Sequence, residues 1–131
     1  MIAREIPLTV KSPSAHSDTR NARKTACGTY LVAHEKDGVV REYDAAGRVV
    51  WEFDVQLFGN EKKPGHGPEA FGDQVYSAVR LENGTTILVN CHAGPEQPQI
   101  LEVTPDTRVI WSFRDFTTFG NSLPVAVVLD P

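Results

Sequence analysis

Several histidines and charged residues in this chain have the chemistry of binding or proton-transfer groups. His16, Asp18 and Arg20 are spaced by two residues, so an extended strand would present all three side chains on one side. A neutral imidazole is a common metal ligand and a common general acid or base. The candidate ligand-binding residues are His16, Asp18, Arg20, His66, Asp73 and His92, and the candidates for metal ligation among them are His16, His66 and His92.

An alternative interpretation of these residues is structural. The histidines show no His-x-His or His-x3-His spacing, which is the spacing typical of metal sites. Loops are polar and exposed, so histidines on loops need no ligand to explain them. His16, Asp18 and Arg20 would then form salt bridges along the first strand, at the mouth of a channel. The sequence identifies no catalytic residue. It favours a non-enzymatic role and leaves enzymatic activity open.

A diverged internal repeat must position these side chains. Trp51 matches Trp111 at an offset of 60 residues, whereas Ala22 matches Ala78 at an offset of 56. The additional residues fall within the predicted loop 92–98, where insertions are tolerated. Repeats with a period of about 40–60 residues are typical of propellers, solenoids and arrays. The copies are residues 22–53 and 78–113, and a third, partial copy at 119–130 follows residues 71–82 at an offset of 48.

The repeated segments alternate between apolar and polar residues, as half-buried strands do. Val49, Trp51 and Phe53 share one predicted face, and the residues between them share the other. The dipeptide Asn83-Gly84 is a strong hairpin signal between two such runs. The predicted strands are residues 14–25, 29–34, 38–44, 48–55, 74–82, 85–91, 99–104, 108–114 and 121–130.

These strands predict an all-β chain made of β-propeller blades, each a four-stranded antiparallel meander. We expect a partial propeller with two blades and the first strand of a third. One domain would span residues 1–131, with blade one at about 14–55, blade two at about 72–114 and an extra strand at about 121–130.

The order of strands in a meander also predicts a common rim for the histidines. The loop after the second strand and the connection to the next blade lie on the same side of a blade. Polar residues from these loops would therefore gather at one end of a central channel. The predicted rim residues are His16, His34, His66 and His92, together with Asp18, Glu69, Asp73 and Asn121.

Two blades alone cannot cover both faces of both sheets. Four strands about 4.8 Å apart and about five residues long at ~3.3 Å each give an outer face on the order of 300 Å². Exposed apolar patches of this size mark interaction surfaces. We therefore expect a homo-oligomer, or assembly with the remainder of a longer propeller.

Composition and charge indicate which classes of partner the chain is not expected to bind. The formal net charge is −4 and no basic stripe is visible, which argues against a nucleic-acid partner. The residues after Met1 lack the apolar run of a signal peptide, and no stretch is long and apolar enough for membrane insertion. Cys27 is predicted in a hairpin turn and Cys91 near the far end of a strand, too far apart for a disulfide. The residues alone leave the compartment open.

Two motifs resemble a known repeat family. Residues 44–53, DAAGRVVWEF, look like the D-x-x-G-x-x-x-W signature of pyrroloquinoline-quinone-like propeller repeats. Residues 81–86, LENGTT, are similar to the L-x-N-G-N-T hairpin of the same repeats and of arylsulfotransferase-type propellers. The resemblance covers about residues 14–130. It implies a propeller fold and a family that is often periplasmic or extracellular.

The resemblance also implies chemistry. Quinoprotein propellers hold pyrroloquinoline quinone, which is the cofactor to test, although neither unit of this chain carries their docking motif. Propeller sulfotransferases use a channel histidine as nucleophile, and by position His16 is the candidate. The residues alone assign no cofactor.

We interpret the chain as a binding or scaffold module built from propeller blades, which completes a ring by self-association or as part of a longer propeller. The alternative is an enzyme of the quinoprotein or sulfotransferase propeller type. Its site would lie at the rim of the central channel once the ring closes.

Overall fold

Two antiparallel sheets of four strands each make up the protein. The structure, a computed structural model, describes residues 1–65 and 67–129. Within each sheet, strands that follow one another in sequence pair with one another, and neither sheet closes on itself. The chain is therefore all-β with two four-stranded units, as predicted. The elements are β1 (Asn21–Lys24), β2 (Tyr30–His34), β3 (Val39–Tyr43), β4 (Val49–Asp54), β5 (Val75–Arg80), β6 (Thr86–Asn90), β7 (Ile100–Val103), β8 (Val109–Phe113) and the short helix α1 (Phe116–Phe119).

The two sheets share one register, which confirms the alignment of the repeat. Trp51 lies opposite Glu42 in the first sheet, and Trp111 lies opposite Glu102 in the second. Both sheets carry a bulge directly after that glutamate. A slip of one residue would exchange the two faces of a strand, so a shared register means that equivalent residues face the same way. The inner strands agree, because the pairs Lys24–Tyr30 and Arg80–Thr86 also correspond.

The core lies between the two sheets. Leu31 and Phe53 of the first sheet and Leu88 and Leu101 of the second are almost fully buried there. Burying one such side chain stabilises the fold by about 1.5–3 kcal/mol. At the inner edge β5 packs against β1 and β2, which brings the two sheets together. The buried core residues are Leu31, Ala33, Val40, Phe53, Val55, Val75, Ala78, Leu88, Leu101 and Val103.

The prediction of an opening strand over residues 14–25 is wrong in its first half. The amides of Ser17 and Asp18 donate to the carbonyl of Ser14 at 3.1 and 3.0 Å, which makes this stretch a turn. The Asp18 carboxylate accepts from the Ser14 amide in return. Ser and Asp favour such local bonds over strand pairing. Because β1 begins only at Asn21, the candidates His16, Asp18 and Arg20 do not share a strand face.

The predicted last strand, residues 121–130, is not a strand in its described part, residues 121–129. The opening strand of a meander pairs with the second strand of its own sheet, and none of the described residues forms such a strand for a third unit. Pro124 also lacks the amide hydrogen that a ladder needs. The segment still lies beside β5, because the Ser77 hydroxyl donates to the Pro124 carbonyl at 3.2 Å.

The outer face of the first sheet is covered over β2 and β3, which corrects the expectation of a bare face, although Val50 of β4 stays exposed. Residues 5–12 cross it, and Arg41 Nη1 donates to the Thr9 carbonyl at 2.6 Å. The Tyr43 hydroxyl accepts from the Thr9 amide at 3.1 Å. Asp37 accepts from two further amides of this N-terminal segment and pairs with Arg41 at 2.9 Å. Arg41 is only 1% exposed, so these bonds satisfy a buried charge.

In the part of the chain that the structure describes, no helix is long and apolar enough to span a membrane. The short helix α1 covers four residues. Its N-cap is Asp115, whose carboxylate accepts from the Thr118 amide at 3.0 Å.

Equivalent hairpin turns place one residue at positive φ. Gly28, Gly47 and Gly84 occupy this position with φ of 86°, 82° and 87°. Thr107 occupies it in the hairpin between β7 and β8, with φ of 67°. Glycine tolerates this region, but a β-branched residue is strained there by roughly 1–2 kcal/mol.

We expect Thr107→Gly to raise the free energy of unfolding by about 0.5–1 kcal/mol in urea denaturation, because the relief of strain exceeds the added entropy of the unfolded chain. The matched control is Gly28→Thr, where an added Cβ meets nothing within 4 Å. That variant should lose about 1 kcal/mol from backbone strain alone. A less stable Thr107→Gly variant would contradict the strain.

Candidate functional site

A cluster of polar and aromatic side chains joins the two sheets at one end. Arg20, just before β1, donates from Nε to the carboxylate of Glu35, directly after β2. Its guanidinium lies 4.9 Å from the ring centroid of Tyr76 on β5. Tyr76 stacks on His92, which follows β6, with ring centroids 5.8 Å apart and an interplanar angle of 21°. With the adjacent Cys91, these residues form what we call the Arg20–Tyr76 cluster.

Burial determines the electrostatics of this cluster. Glu35 is 2% exposed, and the ion pair with Arg20 compensates for the removal of its carboxylate from water. The hydrogen bond to Glu35 raises the pKa of Arg20, which keeps the guanidinium charged. Burial raises the pKa of the Cys91 thiol to about 11, and the negative charge of Glu35 adds to the effect. Since the thiolate is the reactive form of cysteine, the Cys91 thiol is not an activated nucleophile at neutral pH.

A groove of about 410 Å³ borders the cluster, with Cys91 and His92 in its wall. Asn121 of the C-terminal segment forms another part of the wall. The Asn121 side-chain amide donates to the carbonyls of Gly67 and Ala70 at 3.0 and 2.8 Å, which fixes the connection between the sheets. A neutral thiol, an imidazole and backbone groups offer hydrogen bonds, so the groove has the chemistry to hold a small polar ligand.

His34 lies on the outer face of the first sheet, away from Tyr76. Its Nδ1 donates to the Asp18 carbonyl at 3.0 Å, and its Nε2 accepts from the Tyr43 hydroxyl at 2.8 Å. Burial lowers the pKa of His34, so the neutral imidazole with one donor and one acceptor matches both partners. His34 therefore ties the turn before β1 to the sheet.

Asp73 belongs to the connection between the two sheets. Its carboxylate pairs with the Lys62 ammonium at 2.6 Å. It also lies tightly against Gly38, where an added Cβ would come within 2.6 Å of the Asp73 Cγ. Asp73 thus links this connection to the turn between β2 and β3.

The structure brings two of the candidate ligand-binding residues together and separates the others. Arg20 and His92 meet on the ring of Tyr76. Asp18 contributes its carbonyl to His34 instead, as described above. Of the remaining candidates, Asp73 pairs with Lys62, His16 lies on the exposed part of the turn before β1, and His66 lies outside the described residues.

Two of the histidines predicted to lie on a common rim, His34 and His92, are buried. Their exposed fractions are 0% and 7%, so both are enclosed by the fold. Within residues 1–65 and 67–129, no group of three or more His, Cys, Asp or Glu side chains is placed to hold a metal ion. The described residues therefore place no set of metal ligands around His16 or His92.

Sequence reasoning did not select three members of the cluster, Glu35, Tyr76 and Cys91. One signal was available, because Arg20 and Tyr76 are equivalent repeat positions at the offset of 56. Arg20 directly precedes β1 and Tyr76 lies at the start of β5. These are the inner strands of the two units, and inner strands of neighbouring units are in contact. A charged residue directly after the largely buried strand β2 is a second signal, since an acid there needs a partner.

We expect Arg20→Ala to lower the free energy of unfolding by about 1–3 kcal/mol, because it leaves the Glu35 carboxylate buried without its cation. Urea denaturation measures the change. Arg23→Ala is the matched control, since Arg23 is exposed on β1 and should cost no more than about 0.5 kcal/mol. Equal losses in the two variants would show that the Glu35 ion pair contributes nothing to stability.

The two thiols should react at very different rates. Both cysteines are free, but Cys27 is exposed and Cys91 is buried with a raised pKa of about 11. At pH 7.5 a disulfide reagent should therefore label one thiol rapidly, and the second only on unfolding. The Cys27→Ser variant, as control, should lose the rapid phase. Rapid labelling of that variant would mean that Cys91 is accessible.

Comparisons with known proteins give a partial structural likeness and no family. No protein-family model matches the chain, and no curated protein matches it. Among solved structures, the chain is similar to a protein of unknown function from Bacteroides caccae, with 18% sequence identity and a TM-score of 0.35. The match covers 88% of this chain and 56% of the other, so the chain spans little more than half the length of that protein.

Proposed function

We propose that this chain is a binding or scaffold module built from propeller blades, which associates through the open face of its second sheet. The partner is a further sheet, supplied by another copy or by the remainder of a longer propeller. Support comes from the different surroundings of two equivalent tryptophans, one in each unit.

Trp51 lies at the joint between the two sheets. Its indole Nε1 donates to the Pro105 carbonyl at 2.9 Å, and its ring packs against the core. The Arg80 guanidinium lies over the same ring at 5.1 Å. In the first unit, this tryptophan therefore forms direct contacts with the second unit.

Trp111 holds the same register position in the second unit, and none of the described residues forms a third sheet that covers it. It is 49% exposed, and its neighbours Val109 and Ile110 are 40% and 52% exposed. An exposed tryptophan with apolar neighbours is a common centre of binding energy in protein interfaces. This contrast between Trp51 and Trp111 is the observation that carries the proposal.

The outer face of the first sheet is less suited to this role. Residues 5–12 already cover it, and the buried Arg41 below them is bound to Asp37 and the Thr9 carbonyl. A new partner would have to replace these bonds. Association through the second sheet requires no such exchange at Trp111.

Small-ligand binding at the groove beside the Arg20–Tyr76 cluster is the second candidate function. The groove of about 410 Å³ is of the size that small ligands occupy, and polar groups line it. The quinone cofactor and the channel histidine implied by the family resemblance stay predictions.

Sedimentation velocity over increasing protein concentration tests the proposal. We expect a mass that rises with concentration, and Trp111→Ser should weaken association at least about tenfold because it removes the central apolar contact. Val50→Ser is the control, since Val50 is similarly exposed at 54% but lies on β4 of the first sheet. A constant monomer mass up to about 1 mM would refute self-association through this face, and an unaffected Trp111→Ser variant would show that association uses another surface.

A further inference from the structure

One ion pair joins the two units beside Trp51. Arg80 Nη2 donates to Glu42 Oε2 at 2.7 Å, and the guanidinium carbon lies 5.1 Å from the Trp51 ring centroid. The Thr29 hydroxyl donates to the other carboxylate oxygen of Glu42. Thr29, Glu42 and Trp51 of the first unit thus form a guanidinium site, which Arg80 of the second unit fills.

The second unit carries the same three residue types at the equivalent positions. The Thr85 hydroxyl donates to Glu102 Oε1 at 2.7 Å, as its counterpart does in the first unit. Trp111 lies opposite Glu102 across the strands, on the same face. Across residues 1–65 and 67–129, no basic side chain forms an ion pair with Glu102. Glu102 Oε2 and the face of the Trp111 indole are therefore equivalent to the groups that bind Arg80 in the first unit, but no cation of the described chain binds them.

The chain does not supply a guanidinium to this second set. At the repeat offset of 48, the position equivalent to Arg80 in the partial third unit is Val128. Val128 lies beside the end of β5, along a groove that Leu81 and Asn83 also line. Because its side chain is apolar, Val128 cannot supply the cation for Glu102, and a cation there would have to come from another molecule.

We propose that Thr85, Glu102 and Trp111 bind the guanidinium of an arginine carried on an extended segment of a partner protein. Glu102 would accept hydrogen bonds from the guanidinium, and Trp111 would stack against its face. Thr85 would hold the carboxylate in place. The inference rests on the proposed function, because it names the chemistry of the partner that covers the open face of the second sheet.

Arginine suits this site better than lysine. A guanidinium is planar, so it stacks on an indole while its edge donates to a carboxylate, as Arg80 does in the first unit. An ammonium presents neither the plane nor the fork of donors. An extended segment suits the geometry because Arg80 itself projects from the inner strand β5.

A peptide copied from the chain provides the probe. The acetylated and amidated peptide YSAVRLE, residues 76–82, carries Arg80, and its citrulline analogue is isosteric but neutral. The full chain is titrated with each peptide while NMR follows the indole N–H resonance of Trp111, assigned through Trp111→Phe. We expect the arginine peptide to bind with a Kd of about 1 mM and the citrulline peptide at least about fivefold more weakly.

Three variants of the full chain refine the test. Glu102→Gln should reduce the affinity for the arginine peptide to that of the citrulline peptide. Glu61→Gln, which removes the same charge from an exposed position in the connection between the sheets, should leave it unchanged. Val128→Arg should place a guanidinium in the site from within the chain and so weaken peptide binding.

Equal affinities for the two peptides would overturn the site, as would Glu102→Gln or Val128→Arg variants that bind the arginine peptide like the parent chain. Sedimentation separates this failure from failure of the proposed function. If Trp111→Ser abolishes association while the peptides bind equally, the association stands and the guanidinium site is wrong. If the chain stays monomeric yet discriminates between the peptides, the site stands and self-association is wrong.

Discussion

The need to cover both faces of each sheet is the constraint on which this structure depends. A sheet with apolar residues on both sides is stable in water only when both sides are packed. The two sheets cover one face of each other through residues such as Leu31 and Leu88. Residues 5–12 cover the other face of the first sheet, and residues 121–129 lie along β5 of the second. The chain outside the strands is therefore part of the packing.

Equivalent faces of the two sheets carry opposite chemistry. Arg41 and Tyr43 of the first unit correspond, at the offset of 60, to Leu101 and Val103 of the second. The polar pair turns outward beneath the N-terminal segment, where Asp37 and the Thr9 backbone satisfy it. The apolar pair turns inward, toward the first sheet. Such a polar, self-satisfied outer face is how repeat proteins end a stack.

Much of the fold could be predicted from the sequence because strands and hairpins depend on neighbours in the chain. Alternation around Trp51 and Trp111 fixed the faces, and the repeat offsets reproduce the observed register. The turn before β1 was missed because Ser14 and Asp18 form a local hydrogen bond. The alternation of apolar and polar residues carries no information about such bonds. The candidate site was predicted less well. Arg20 meets His92 only through Tyr76, a contact that exists because the ends of two sheets approach each other.

The polar end limits how further sheets can be added. A closed ring of copies would place the outer face of one first sheet on the open face of a second sheet, and residues 5–12 would have to leave. Arg41 would then lose the Thr9 carbonyl, and a buried charge that loses a partner is strongly destabilising. At the other end Glu102 and Trp111 keep acceptor groups whose counterparts in the first unit already hold a cation. The molecule is thus closed on one side by its own polar bonds, whereas the proposed partner would dock on the other side, against these remaining polar groups.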